Sequence, residues 1–197
     1  MKILFCVTRS DAIGGAQVHV ADLAEWLGQN GHQLIVLVGG AGLYCDELRR
    51  RQIRYQKCQW LRRSVNPLVD LRAAKEVRRL IRRESPDIVS LHSVKAGVIG
   101  RIATIGLAAR VLFTAHGWSF LVESARIRAR LYKAIMSKIG PTFDRVITVS
   151  RHDFTVALNN RFSVKEKMTI IRNGMPDRPE ASANAGAVSY THLTLPT

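Results

Sequence analysis

The first thirty residues constrain the fold most strongly, because a strand pattern, a glycine loop and a helix pattern follow one another directly. Residues 3–7 (ILFCV) are apolar without alternation, which is typical of a parallel strand covered on both faces. After Gly14 and Gly15 the pattern predicts a helix that ends at Asn30 and Gly31. We expect its apolar face to consist of Val18, Ala21, Leu23, Trp26 and Leu27.

The paired glycines between this strand and helix allow two interpretations. Without side chains, Gly14 and Gly15 let an anionic ligand approach the N–H groups at a helix N-terminus, where the helix dipole favours negative charge. Alternatively, they only make a tight turn between strand and helix. The pair alone leaves both interpretations open.

The same order of strand, polar turn and helix recurs along the chain. This alternation predicts an α/β fold, a Rossmann-like parallel sheet with helices on both faces and right-handed crossovers. The expected strands are residues 33–38, 53–58, 88–91, 111–115, 145–149 and 168–171, and the main later helices are residues 67–83, 94–107 and 122–139.

Length and composition limit the possible functions. A chain of 197 residues is long enough for one full core. The 30 Lys and Arg residues against 15 Asp and Glu give a net charge of +15, which indicates an anionic partner. Cys6, Cys45 and Cys58 form no CxxC pair and are odd in number, so neither a zinc site nor a disulfide framework is expected, and a reducing cytosol fits best. No apolar stretch has the pattern of an export signal or membrane span.

Candidate site residues follow from the expected sheet, because ligands of open α/β sheets bind beyond the carboxyl ends of the strands. Small, polar and imidazole residues occupy those positions. We interpret His19, His32 and His152, which lie in helices or a turn, as structural. The residues expected to line the rim are Gly14, Gly15, His92, Ser93, His116, Gly117, Ser150, Arg151, Asn173 and Gly174.

Five segments in order carry a resemblance to a known family. They are GGAQVHVADLAEWLGQNGHQLIVLVGG, HSVKAGVIGRIA, FTAHGWSF, DRVITVS and IIRNGMP. In this order they resemble the N-terminal domain of family 4 glycosyltransferases, which are retaining enzymes of the GT-B type. The resemblance covers residues 2–176 and is greatest to bacterial enzymes that build capsular polysaccharide or exopolysaccharide.

The resemblance implies a role for each rim residue. Gly14 and Gly15 approach the diphosphate of a nucleotide-sugar donor, and His116 contacts the donor sugar as the catalytic residue. Asn173 and Gly174 border the cleft on the donor side. The acceptor side is formed by His92, Ser93, Lys95, Gly117, Ser150 and Arg151. The donor is a substrate, so neither a cofactor nor a metal is expected.

The resemblance also predicts the domain organisation. Residues 1–177 correspond to the N-terminal Rossmann-like domain, which supplies mainly the acceptor side. Residues 178–197 are expected to be a disordered or non-native tail. We expect the C-terminal donor-binding domain to be absent from this sequence and the fragment to be inactive alone.

Two other classes of protein fit parts of the sequence less well. Half of an NAD-type oxidoreductase requires a G-x-G-x-x-G loop and an acidic residue near the end of the second strand, and neither occurs. A basic nucleic-acid-binding module is suggested only by the charge. The basic run at residues 72–83 contains no aromatic residue for base stacking, so no nucleic acid is expected.

Charge distribution suggests a membrane partner instead. The resemblance implies a lipid-linked saccharide acceptor, and an anionic bilayer attracts basic amphipathic helices. We therefore expect a cytoplasmic protein at the inner face of the membrane. The basic residues invoked are those of residues 72–83 together with Arg126, Arg128, Arg130, Lys133 and Lys138.

Overall fold

The computed structural model describes residues 1–62, 64–118 and 126–174, with only the backbone described for 126–129. Seven strands form one parallel sheet. They are β1 (Lys2–Val7), β2 (Gln33–Gly39), β3 (Tyr55–Cys58), β4 (Ile88–His92), β5 (Arg110–Ala115), β6 (Arg145–Thr148) and β7 (Met168–Ile170). The helices are α1 (Gly15–Gln29), α2 (Leu43–Arg50), α3 (Pro67–Glu84), α4 (Val94–Thr104), α5 (Arg126–Ile139) and α6 (Arg151–Asn159).

The strand order is β3-β2-β1-β4-β5-β6-β7, so the order reverses beside β1. Lys2 pairs with Gln33 of β2, while Ile3 pairs with Ile88 of β4. The connections after β1 and β4 leave in opposite directions along the sheet and open a crevice at the carboxyl edge. The Rossmann-like parallel sheet predicted from the sequence is confirmed.

Successive residues of each strand serve two separate cores, because side chains alternate between the faces of a sheet. Phe5 and Val36 pack with α1 and α2 on one face, whereas Leu4 and Leu37 pack with α3 and α4 on the other. Helices therefore cover both faces, as the unbroken apolar strands predicted.

The predicted apolar faces of two helices were partly wrong. For the helix of residues 67–83 the sequence predicts one apolar side made of Leu68, Leu71, Val77, Leu80 and Ile81. In α1 the buried residues are Gln17, Val20, Ala21 and Ala24, while Trp26 is 58% exposed. In α3 Leu68 is 75% exposed, although Val77 is fully buried. A helix turns about 100° per residue, so positions nine apart, such as 68 and 77 or 17 and 26, face opposite sides.

Three sequence predictions fall wholly or partly outside the described part of the chain, among them the membrane role of Arg126 and Arg128, whose side chains are not described. Another is the start of the fifth helix at residue 122, since its described part begins at Arg126. The third is the tail at residues 178–197.

Candidate functional site

Three histidines meet at the carboxyl edge of the sheet. His92 is the last residue of β4, His116 follows β5, and His19 lies in α1. One ring nitrogen of each lies within 4.8 Å of the others. The rings of His92 and His116 stack with centroids 5.2 Å apart, and His19 approaches His116 edge-on, also at 5.2 Å.

A chain of hydrogen bonds runs through the cluster. Nδ1 of His92 and Nε2 of His116 lie 2.9 Å apart, and Nε2 of His92 lies 2.9 Å from Oγ of Ser90. His92 and Ser90 are both buried. Because both ring nitrogens of His92 have a partner, its orientation is fixed from two sides.

His116 has an unusual environment for a residue predicted to contact a sugar. Its Nε2 is engaged by His92, and its Nδ1 is buried with no hydrogen-bond partner among the residues described. Buried polar atoms normally have a partner, so an orphaned nitrogen indicates a missing water, ion or ligand. A sugar contact through His116 requires the ring to turn or Nδ1 to become accessible.

The cluster favours uncharged imidazoles. Burial, reinforced by the neighbouring His19 and opposed by Asp153, lowers the pKa of His116 to about 4. Burial and the charges of His116 and His19 lower the pKa of His92 well below its usual range. Burial also lowers the pKa of His19, against the attraction of Asp22. All three rings are therefore neutral at pH 7.

The glycine loop lies at the start of α1. Gly14 caps this helix with an extended backbone (φ −116°, ψ −176°), and neither glycine has a positive φ. The backbone conformation at these two positions therefore does not require glycine. The tight-turn interpretation would require it. Among the described residues, a Cβ built on exposed Gly15 would meet nothing within 4 Å. The N–H of Gly14 donates to Oε1 of Gln17 at 3.3 Å, and the N–H groups of the first helical turn that follows are the ones we expect an anion to reach.

Ser93 and Lys95, predicted on the acceptor side, have structural partners. Oγ of Ser93 caps α4 by accepting from the N–H of Ala96 at 3.1 Å and lies 2.6 Å from Oγ1 of Thr8. Lys95 forms an ion pair with Asp70 at 2.8 Å and donates to the carbonyl of Ser64. The positive charge of Lys95 is thus partly compensated within the chain.

Gly117, Ser150 and Arg151 lie further along the same edge. Gly117 has a φ of +97°, which only glycine adopts readily, and it turns the chain after His116. Ser150 caps α6 by accepting from the N–H of Asp153 at 3.0 Å, and its hydroxyl donates to the Asp153 carboxylate at 2.6 Å. Arg151 is exposed at the start of α6.

Asn173 and Gly174 are exposed in the segment after β7. Four strand intervals separate β7 from β1, which corresponds to about 19 Å at the usual spacing. This pair and the pair Gly14–Gly15 therefore border different parts of the rim.

Sequence reasoning missed a cavity of about 750 Å³ beyond the ends of β1, β2 and β3. Arg9, Lys57 and Arg62 contribute positive charge to its wall, against Asp11 and Glu76. None of the predicted site residues lines it. The available signals were Gly39 and Gly40, which end β2 beside the cavity.

His19 was also missed, because its position inside a helix was read as structural. The strand order supplied a signal: β1 neighbours β4, so the first turns of α1 lie beside the end of β4. His32 and His152 remain outside the cluster, and His32 contacts the N-terminal amine at 3.3 Å.

Comparison with known proteins identifies relatives along most of the chain. A galactosyltransferase of Escherichia coli, UDP-Gal:alpha-D-GlcNAc-diphosphoundecaprenol alpha-1,3-galactosyltransferase, is 26% identical over 114 residues, covering 57% of this chain and 30% of that protein. The O-antigen biosynthesis glycosyltransferase WbnH of Escherichia coli is 19% identical over 178 residues, covering 90% of this chain and 50% of that protein.

Solved structures share the fold. Alr3699/HepE of Anabaena, crystallised with UDP and glucose, superposes with a TM-score of 0.69 at 20% identity, covering 89% of this chain and 45% of that one. A glycosyltransferase from Rickettsia africae gives 0.67 at 24% identity, covering 87% and 42%. The chain thus spans about half the length of WbnH and of these structures.

The family assignment rests on a match over most of the sequence. The family model described as Glycosyltransferase Family 4 matches residues 13–178, which include the glycine loop, all three clustered histidines and the segment after β7. With its Rossmann-like parallel sheet, the chain belongs to glycosyltransferase family 4.

Proposed function

We propose that this chain is the acceptor-side domain of a retaining glycosyltransferase that moves a sugar from a nucleotide-sugar donor to a lipid-linked saccharide. One observation carries the proposal: the exposed Gly14–Gly15 loop, at a helix N-terminus, begins the same helix that brings His19 to His92 and His116. The proposed phosphate-binding loop and the imidazole cluster thus lie at the same crevice, beside β1, where the strand order reverses.

The donor side uses the start of α1. A diphosphate there accepts from backbone N–H groups and gains about 0.3–2 kcal/mol from the helix dipole. The empty space beside Gly15 gives the phosphate room. To contact the donor sugar, the ring of His116 gives up its present hydrogen bond with His92. UDP is the nucleotide that we propose, because the Anabaena structure contains it and one relative is named for UDP-galactose.

The acceptor side uses the cavity beyond β1, β2 and β3. Lys57 and Arg62 of its wall suit the diphosphate that links a saccharide to a polyprenol, the acceptor named for the Escherichia coli galactosyltransferase, whereas Arg9 is paired with Asp11 at 2.8 Å. His92 and Ser93 stand between this cavity and the donor side, with Ser93 bonded to Thr8 of the cavity wall. A charged acceptor of this kind accounts for part of the basic composition.

We also propose that the domain lies at the cytoplasmic face of an anionic membrane. No helix in the described ranges is long and apolar enough to cross a bilayer. Exposed Leu68 and Leu71 of α3 are followed on the same helix by Arg72 and Lys75. Apolar side chains that insert at the interface, beside cations that contact anionic headgroups, are the combination expected of a peripheral helix.

The test uses the complete enzyme with UDP-galactose or UDP-glucose and GlcNAc-diphosphoundecaprenol. We expect acceptor-dependent release of UDP and a product whose new linkage keeps the anomeric configuration of the donor. Gly15→Leu is expected to raise the donor KM about tenfold by blocking the approach of the phosphate. Gln29→Leu, at the exposed far end of the same helix, is the matched control and is expected to leave KM unchanged.

Each result has a defined meaning. An inverted product would refute the retaining mechanism, and UDP release that ignores the acceptor would refute the proposed acceptor. A Gly15→Leu enzyme with unchanged donor KM would show that the loop does not contact the donor.

A further inference from the structure

The histidine cluster has a second chemical capacity that sugar transfer does not use. His19, His92 and His116 come from three separate elements, yet one nitrogen of each falls within 4.8 Å of the other two. We propose that these three imidazoles form a binding site for a divalent transition metal, with Zn²⁺ as the ion that fits best. The resemblance to family 4 implied no metal, so the site would be an addition to the chemistry expected from the sequence.

The distances are compatible with a tetrahedral ion. Zinc–nitrogen bonds of about 2.0–2.1 Å place ligand nitrogens about 3.3–3.4 Å apart in a tetrahedral site. The His92 and His116 nitrogens are 2.9 Å apart, and no separation exceeds 4.8 Å. Adjustments of about 1.5 Å or less therefore suffice, which rotation of half-buried His19 and His116 supplies.

The surroundings of His92 resemble those of a metal ligand. A ligating histidine usually bonds through its other nitrogen to a neighbouring group that fixes the tautomer and the ring orientation. Oγ of Ser90 lies 2.9 Å from Nε2 of His92, and both residues are buried. When Nε2–H donates to Ser90, the lone pair of Nδ1 points into the cluster.

In this arrangement His116 binds the ion through Nε2, the atom that lies 2.9 Å from Nδ1 of His92. Its Nδ1, which is buried and has no hydrogen-bond partner among the described residues, then carries the ring proton. Metal binding replaces the direct bond between His92 and His116. The imidazole has two nitrogens, so a metal on one leaves the other for a sugar or a water molecule.

The donor set selects the class of ion. Three neutral imidazoles suit Zn²⁺ and neighbouring transition metals, whereas Ca²⁺ and Mg²⁺ require oxygen ligands. Neutral imidazole is the form that binds metal. Three protein ligands leave the fourth tetrahedral position open to water or substrate.

The test uses tag-free protein of residues 1–197, stripped with a chelator and titrated with Zn²⁺ by calorimetry. We expect one Zn²⁺ per chain. Co²⁺ in the same site is expected to show the strong visible bands of a tetrahedral nitrogen environment. His19→Gln, which changes a half-buried helix residue, is expected to weaken Zn²⁺ binding at least about tenfold, and Ser90→Ala about 10–100-fold.

Matched controls use the two histidines outside the cluster. His32→Gln removes the contact with the N-terminal amine, where adventitious metal could bind, and His152→Gln changes an exposed residue of α6. Both are expected to bind Zn²⁺ as the unchanged protein does. Circular dichroism confirms that each variant is folded.

Three results would overturn the metal site: no Zn²⁺ binding by the unchanged protein, binding that survives both His19→Gln and Ser90→Ala, or binding that His32→Gln abolishes. The first leaves a hydrogen-bonded histidine triad without an ion. Because metal binding is measured without sugar transfer, its failure leaves the proposed transferase function untouched.

Discussion

The indole Nε1 of Trp118 donates a hydrogen bond to the backbone carbonyl of Asp153 at 3.0 Å. Trp118 is buried and packs against Phe162, with ring centroids 4.9 Å apart. Trp118 lies two residues after His116. This bond therefore holds the turn that follows His116 against α6. The position of His116 therefore depends on a contact made outside the cluster.

Replacing Trp118 with Phe tests that dependence. An aromatic ring is kept, but the hydrogen bond from the indole N–H to the Asp153 carbonyl is lost, so we expect the free energy of unfolding to fall by about 1 kcal/mol. Urea unfolding followed by circular dichroism measures the change. Trp26→Phe is the control, because Trp26 is largely exposed and its replacement should leave stability unchanged. Equal stability of both variants would contradict a fastening role for the bond.

In the complete enzyme, His116→Ala is expected to lower kcat on the order of 100-fold, the usual cost of removing one polar group from a developing charge. The fold should persist, because His116 follows a strand end and is only half-buried. Steady-state kinetics measure kcat, and circular dichroism checks folding. His152→Ala, in exposed α6, should leave kcat unchanged. An unaltered rate in His116→Ala would reduce this histidine to a structural part of the cluster.

Residues 1–197 alone are expected not to transfer sugar. In the proposed function the Gly14–Gly15 loop offers one wall of a donor site, and holding two reactants in attack geometry contributes about 7–11 kcal/mol to such reactions. WbnH and the Anabaena protein are about twice as long as the segment they share with this chain, which leaves room in them for an opposing wall. Incubation with UDP-galactose and GlcNAc-diphosphoundecaprenol measures the activity. Acceptor-dependent UDP release above the rate without protein would disprove this expectation.

Vesicle sedimentation tests the membrane surface of α3. We expect binding to vesicles with anionic lipid and none to neutral ones, with binding weakening as salt shortens the Debye length to about 3 Å near 1 M. A Leu68→Ser, Leu71→Ser double variant should bind more weakly. Ile171→Ser is the control, because Ile171 is 51% exposed, close to the 52% of Leu71, but lies after β7. Equal binding to neutral vesicles would exclude charge as the cause, and equal binding by the double variant would exclude α3.

Stability should depend on pH through Glu84. This buried carboxylate pairs with Lys2 at 2.9 Å and Arg54 at 2.8 Å, and the bond with Lys2 is the main cause of its lowered pKa. A pKa below the unfolded value of 4.5 stabilises the fold above that pH, and this contribution is lost as the pH falls further.

Glu84→Gln removes the charge and is expected to cost about 1 kcal/mol at pH 7, since Arg54 is largely exposed. The difference from the unchanged protein should shrink as pH falls below about 4.5. Urea unfolding at several pH values measures it. Glu166→Gln, on an exposed residue, should show little difference at any pH. A gap that stayed constant with pH would contradict the ion-pair explanation.

Local patterns in the sequence were sufficient to predict the sheet but not the inward faces of all helices. An apolar run such as residues 3–7 fits few structures other than a parallel strand covered on both faces. In a helix, each residue is rotated by about 100° from the last, so a list of apolar residues does not by itself show which of them face the core. Leu68 and Val77 both fit an apolar helix but face opposite sides of it.

The candidate site was predictable only in part for a related reason. His92 and His116 end neighbouring strands, so the order of elements placed them together. His19 and the cavity beside Arg9 depend on how α1 and the loops after β2 and β3 lie across the carboxyl edge, which requires the assembled sheet. The remaining rim residues stay predictions.

The central position of β1 has a consequence for how the protein acquires its structure. The backbone N–H of Lys2 bonds to the carboxylate of Asp87, 85 positions later, and β1 must also pair with β4. Sequence-distant pairing of this kind slows folding, because a long loop must close before its contacts form. During synthesis, one edge of β1 stays unpaired until β4 leaves the ribosome, because β1 pairs with β2 on one side and with β4 on the other. Over that interval β1 is the strand most in need of protection from other chains.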